Sequence, residues 1–215
     1  MRDGDNDLWF GTFEGGVQAF SAQGTPLLNF VVGDKRNDIR SIFQAADGTI
    51  WIGSTMGLYQ YDKLQRKGEL FVRSNSANTT ISLDLIRAIS EDRSQRLWLG
   101  FFGQGVAILD SKQRLLYRYN EDNGFPSNRI NHLYRDRKGN MWVATGEGLV
   151  CFTDATHFSV FGREHGLVAN DIRAIAEDEL GNIWLSTING ISRFDVAKKR
   201  FYHYDSRYGI AAGDF

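Results

Sequence analysis

The chain has 215 residues, with 25 Lys+Arg against 26 Asp+Glu and a net charge of −1. That balance argues against a nucleic-acid-binding domain, which carries a basic stripe. An apolar fraction of 42% is too high for a disordered chain. The single cysteine excludes an intrachain disulfide framework and a Cys-cluster zinc site.

In chain order, the first recognisable segment is DGDNDLWFGTFEGGVQAFS, from Asp3 to Ser21. The second is DIRSIFQAADGTIWIGSTMGLYQYD, Asp38 to Asp62, and the third LIRAISEDRSQRLWLGFFGQGVAILD, Leu85 to Asp110. The fourth is RINHLYRDRKGNMWVATGEGLVCFTD, Arg129 to Asp154, and the fifth DIRAIAEDELGNIWLSTINGISRFD, Asp171 to Asp195. These are five copies of one pattern, with Trp9, Trp51, Trp98, Trp142 and Trp184 spaced 42, 47, 44 and 42 residues apart.

Each full copy carries four runs rich in β-branched, aromatic and aliphatic residues, the composition and length of strands. In the fifth copy they are residues 172–177, 182–187, 190–195 and 200–205. Asp47-Gly48, Lys138-Gly139 and Leu180-Gly181 separate the first two runs and read as two-residue type I′ hairpins; Asp5-Asn6 suits the same turn, and Ser94-Gln95 reads as a looser one. A four-stranded unit at this period is the signature of a β-propeller blade. The fold class is therefore all-β, about five blades over residues 1–215, with repeats near 1–36, 37–81, 82–126, 127–168 and 169–215. The first copy lacks an innermost strand. Either five blades close or the chain is part of a larger propeller, and the second is favoured. In that case blade faces at both ends invite self-association or neighbouring blades.

The consensus I-R-A-I-x-E-D-x-x-G-N-I-W-L-S-T-x-x-G-I-x-R-F-D, written out in residues 172–195, resembles the two-component regulator propeller repeat. The connectors Asn123–Asn128 and His165–Asn170, and the tail from Tyr208 to Phe215, resemble that family's inter-blade connector. The resemblance implies an extracytoplasmic, periplasmic or extracellular, sensor segment of a hybrid two-component system that detects a carbohydrate, with any histidine kinase elsewhere in the full-length protein. No stretch is apolar and long enough to span a membrane, and Met1–Asp7 has no signal-peptide core, so an export signal would lie outside this chain.

Recurrence separates scaffold from site. The five Trp read as packing anchors, and Asp3, Asp92, Asp136 and Asp178, each six residues before a Trp, as turn-capping carboxylates. Asp3, Asp5, Asp7 and Glu14 mimic a calcium loop, but Leu8 stands where that loop needs Gly, so no metal or other cofactor is expected. Adjacent carboxylates such as Glu91-Asp92 point to opposite strand faces and make no catalytic pair. The second residue of each innermost strand is Arg40, Arg87, Asn131 or Arg173, and the guanidiniums suit forked bonds to hydroxyl-rich or anionic ligands. His132 and Tyr134 depart from the repeat and share one strand face. The longer second-to-third loops of copies one and three carry Phe13, Phe101 and Phe102, which suit stacking on sugar rings if exposed, the alternative being packing at the blade edge. The expected ligand site thus comprises Arg40, Arg87, Asn131, His132, Arg173, Phe13, Phe101 and Phe102. The alternatives are a propeller lyase or glycosidase using His132, Tyr134 and an Arg, or a protein-interaction scaffold.

Overall fold

The computed structural model describes residues 1–32, 38–63, 67–70, 85–112 and 114–210. The expected blade borders near residues 36 and 81, and the end of the connector-like tail, lie outside the described residues. Two compact units are present, Met1–Glu91 and Asp92–Phe215.

In the first unit, β1 (Leu8–Gly11), β2 (Gly16–Phe20) and β3 (Pro26–Val31) form a three-stranded antiparallel sheet. Next, β4 (Ile39–Gln44), β5 (Ile50–Ser54), β6 (Leu58–Asp62) and β7 (Lys67–Leu70) form a four-stranded one, followed by β8 (Ile86–Glu91). The second unit begins with β9 (Leu97–Phe101), β10 (Val106–Leu109) and β11 (Leu115–Tyr119), which complete a sheet with β8. Its other two sheets are β12 (Ile130–Arg135), β13 (Met141–Thr145), β14 (Gly148–Phe152) and β15 (Phe158–Phe161), then β16 (Ile172–Glu177), β17 (Ile183–Thr187), β18 (Gly190–Asp195) and β19 (Arg200–Tyr204). Strands in each sheet follow chain order, the blade architecture of a β-propeller. The first blade has three strands, as its sequence predicts.

The hairpins between the first and second strands differ from the expected type I′. In the fourth copy the Asp136 N–H donates to Asn140 O and the Gly139 N–H to Asp136 O. The loop is therefore three residues, a type I turn closed by a residue in the left-handed region. Gly48, Gly139 and Gly181 take that last position at φ 89°, 94° and 81°. Asn6 and Gln95 take it at 65° and 58°, so the third-copy loop is the same turn rather than a looser one. The second copy forms the same loop from Ala45, whose N–H donates to Thr49 O, and where an Asp starts the turn its carboxylate braces the loop further. Asp136 Oδ1 accepts the Asn140 N–H at 2.8 Å, and Asp92 Oδ1 accepts those of Ser94 and Arg96 at 2.9 and 3.1 Å.

The same carboxylates hold the tryptophans. The indole N–H donates to Asp3 from Trp9 and to Asp92 from Trp98 at 2.8 Å, and to Asp136 from Trp142 and to Asp178 from Trp184 at 2.9 Å. A buried indole N–H needs such a partner, and here the turn cap supplies it. In the second copy Ala45 occupies the Asp position, and Trp51 is still buried.

Three of the five Trp meet an aromatic ring from the third strand of the following blade. Trp9 meets Tyr61, Trp98 meets Phe152 and Trp142 meets Phe194, all edge-to-face with centroids 5.4, 5.0 and 5.9 Å apart. Such pairs contribute about 0.5–1.5 kcal/mol beyond area burial. Glycine two residues after Trp lets the next innermost strand close in. A Cβ on Gly11 would lie 2.4 Å from Ile39 Cγ2, and one on Gly53 2.7 Å from Ile86 Cγ2.

Candidate functional site

The second-to-third turns come in two kinds. In the tight ones, Ser54, Thr145 and Thr187 are buried and their hydroxyls donate to the carbonyls of Gly57, Gly148 and Gly190 at 2.8, 2.8 and 3.0 Å. In copies one and three the turn is a residue longer and presents an aromatic: Phe13 is 70% exposed and Phe102 45%. Phe101 is a correction to the expected exposed cluster, being 1% exposed. It stands three residues after Trp98, where the tight turns place a buried Thr or Ser, so its ring enters the blade.

In the first unit, Arg40 and Phe13 come together. The Arg40 guanidinium carbon lies 5.0 Å from the Phe13 ring centroid, and Arg40 Nη2 donates to Asp38 Oδ2 at 2.8 Å. Asp38 also accepts the Glu14 N–H at 3.3 Å, which ties the loop bearing Phe13 to the start of β4. The result is an exposed ring capped at one side by the guanidinium of an exposed Arg40. Arg87 is half-buried in β8, with Leu85 at the position of Asp38.

In the second unit, Asp171 gathers three donors. Arg129 Nη2 lies 2.6 Å from Asp171 Oδ1, Asn131 Nδ2 donates to the same oxygen at 3.0 Å, and Arg173 Nη2 lies 3.1 Å from Oδ2. Asn131 Nδ2 also donates to Ile172 O at 2.7 Å, so its amide spans a joint between blades. Arg129 and Asp171 were absent from the expected site. The signal for Asp171 is the recurring Asp-Ile-Arg at 38–40 and 171–173, whose i, i+2 spacing puts carboxylate and guanidinium on one strand face; no such signal marks Arg129.

His132 and Tyr134 face the neighbouring blade instead. His132 Nδ1 accepts the Ile175 N–H at 3.2 Å, so the neutral ring carries its proton on Nε2, and burial lowers its pKa. Tyr134 sits opposite Trp142 in the β12–β13 register and packs against the core formed by β13, β14, β16 and β17. Burial, then the nearby Glu177 charge, raises the Tyr134 hydroxyl.

The aspartates of the first turn are also engaged. The Lys63 ammonium stands among them, donating to Asp3 at 2.7 Å, Asp5 at 2.5 Å and Asp7 at 3.4 Å. Burial opposes the charge on Asp3, but the bonds from Lys63 and Trp9 hold its carboxyl below the ordinary value. Among the described residues these three carboxylates are the group with metal-ligand spacing, and Lys63 supplies their counter-charge.

With its sheets and turns defined, the molecule is a β-propeller chain built on an Asp–Trp-anchored blade. The repeat is that of the two-component regulator propeller, whose family model matches residues 33–56, 124–147 and 166–189. A crystal structure of the extracellular domain of a hybrid two-component system from B. thetaiotaomicron is similar to the whole of this chain, with 38% identity and a TM-score of 0.88. The extracellular domain of a second hybrid system from that organism matches 96% of the chain at 20% identity and a TM-score of 0.78. The chain spans 29% and 30% of the length of these two proteins. Virginiamycin B lyase from Staphylococcus aureus shares the fold over 95% of this chain and 68% of its own, at 10% identity and a TM-score of 0.75. No curated protein matches the sequence.

Proposed function

We propose that the chain is a ligand-sensing propeller segment of the extracellular part of a hybrid two-component signalling protein, and that it binds a carbohydrate at the turn that carries Phe13. The observation that supports this most directly is the Phe13–Arg40–Asp38 group. An exposed ring suits the C–H face of a sugar, and an adjacent guanidinium held by a carboxylate suits its hydroxyls. The similarity to extracellular domains of hybrid systems supports the setting. Signalling then requires that the ligand bind two states of the full protein unequally. A propeller enzyme is disfavoured, because His132 spends its Nδ1 lone pair on the joint to β16 and Tyr134 packs against the core.

A calorimetric screen of oligosaccharides tests the reading. Saturable binding without turnover, lost in Phe13→Ala and Arg40→Ala, is the expected result. Release of a cleaved product would replace the sensor with a lyase or glycosidase. Binding that survives both substitutions would remove these residues from the site.

A further inference from the structure

At the strand ends opposite Phe13 and Phe102, blades are latched by a repeated bond. The backbone N–H after the turn-starting position of one blade donates to the side chain ending the next blade's first strand. Gly4 N–H meets Gln44 Oε1 at 2.6 Å, Ala46 N–H meets Glu91 Oε2 at 2.9 Å, and Arg137 N–H meets Glu177 Oε2 at 3.0 Å. In the joint between the third and fourth blades the residue at the acceptor position is Arg135. It holds the same register in β12, opposite Met141, that Glu177 holds in β16 opposite Ile183. A guanidinium has no acceptor, so the Arg93 N–H at this joint is offered nothing by it.

The rest of the joint is cationic. The Arg93 guanidinium crosses the turn, donating to Arg137 O at 2.6 Å and passing so close to Gly139 that a Cβ there would meet its Nε at 2.4 Å. A cleft of about 230 Å³ opens beside it, with Arg93, Ser94, Arg96 and Lys138 in its wall. The two carboxylates in the same wall are already committed. Asp92 accepts Ser94 N–H, Arg96 N–H, Arg96 Nε–H and the Trp98 indole. Asp154 accepts both N–H and hydroxyl of Thr156 and lies 2.9 Å from His157 Nδ1.

We propose that this joint is an anion-binding site, in which an external carboxylate or sulfate takes the acceptor role that Gln44, Glu91 and Glu177 play elsewhere. The anion would receive the Arg93 N–H and be flanked by Arg93, Arg135 and Lys138, the charge-assisted arrangement that favours oxyanions. The site does not rest on the sensing proposal. Uronates and sulfated sugars both present this chemistry.

The test is a titration of the whole chain, followed by backbone amide NMR, with sodium sulfate, with trigalacturonate and with neutral maltotriose. Ionic strength is held constant with chloride. The expected result is a saturable shift of the Arg93, Ser94 and Gly139 amides with one or both anions and none with maltotriose. Sulfate alone would identify a sulfate site, and trigalacturonate alone a uronate site. Arg135→Glu restores the latch acceptor and should weaken binding about tenfold or more, while Lys138→Gln weakens it severalfold. Shifts that grow linearly, that chloride reproduces, or that persist unchanged in the folded Arg135→Glu variant would overturn the proposal.

Discussion

The indole N–H of Trp142 donates to the buried carboxylate of Asp136, six residues upstream, at 2.9 Å. The same oxygen accepts Asn140 Nδ2 at 2.8 Å, so one side chain closes the turn and fixes the ring that the next blade packs against. Trp142→Phe keeps a ring in place but removes the donor and part of the contact with Phe194. A loss of about 1–3 kcal/mol is expected from the missing bond to a buried charge plus packing, read from urea unfolding.

Asp178 makes the equivalent bonds to Asn182 and Trp184, which pull its pKa down to about 2 from the ordinary 3.8. A depressed carboxyl contributes stability that is complete above 3.8 and lost as pH falls through about 2. The stability gap between the wild type and Asp178→Asn should therefore narrow as pH is lowered from 5 to 2. A gap independent of pH over that range would show that the carboxylate charge does not matter there.

His132 should behave as a structural acceptor. His132→Ala leaves the Ile175 N–H without it, at an expected cost of about 1–3 kcal/mol, and should speed hydrogen exchange at the Ile175 amide. Because burial depresses its pKa below 6.5, the wild type loses stability as pH drops below 6.5, and the variant should show less of that loss.

Phe101 and Phe102 are neighbours with opposite environments, 1% and 45% exposed. Phe101→Ala should cost about 3–5 kcal/mol, as expected for truncating a buried aromatic. Phe102→Ala should leave stability within about 0.5 kcal/mol.

Cys151 is buried in β14, and burial, followed by the Asp136 charge, pushes its thiol up to about 12. The native protein should be unreactive towards a chromogenic disulfide reagent at pH 8 and should react fully once unfolded. Prompt labelling of the folded chain would mean that β14 opens readily.

The fold was legible because its determinants are local and repeated. The Trp spacing, the strand composition and the turn residues recur in register, and β16 to β19 fall within a residue of the expected runs. Hairpin type was less legible. Asp47-Gly48 looks like a two-residue loop, and the Ala45 N–H to Thr49 O and Gly48 N–H to Ala45 O bonds show that it has three. The candidate site was harder still, because side-chain partners cross blades. Nothing in residues 129–134 alone says that Asn131 and His132 reach β16, or that Arg129 reaches Asp171. Phe101 was misread for a simpler reason: aligned on Trp98, it falls on the inward position of Thr145 and Thr187.

The edge-to-face contacts between successive blades have an evolutionary consequence. The fourth and fifth blades each carry both halves of the joint, a Trp–Asp pair and, on the third strand, the ring that covers the preceding Trp. Duplication of such a repeat would preserve the interface chemistry without compensating mutations. The copies differ outside these contacts, at Phe13, at Phe102 and at Arg135.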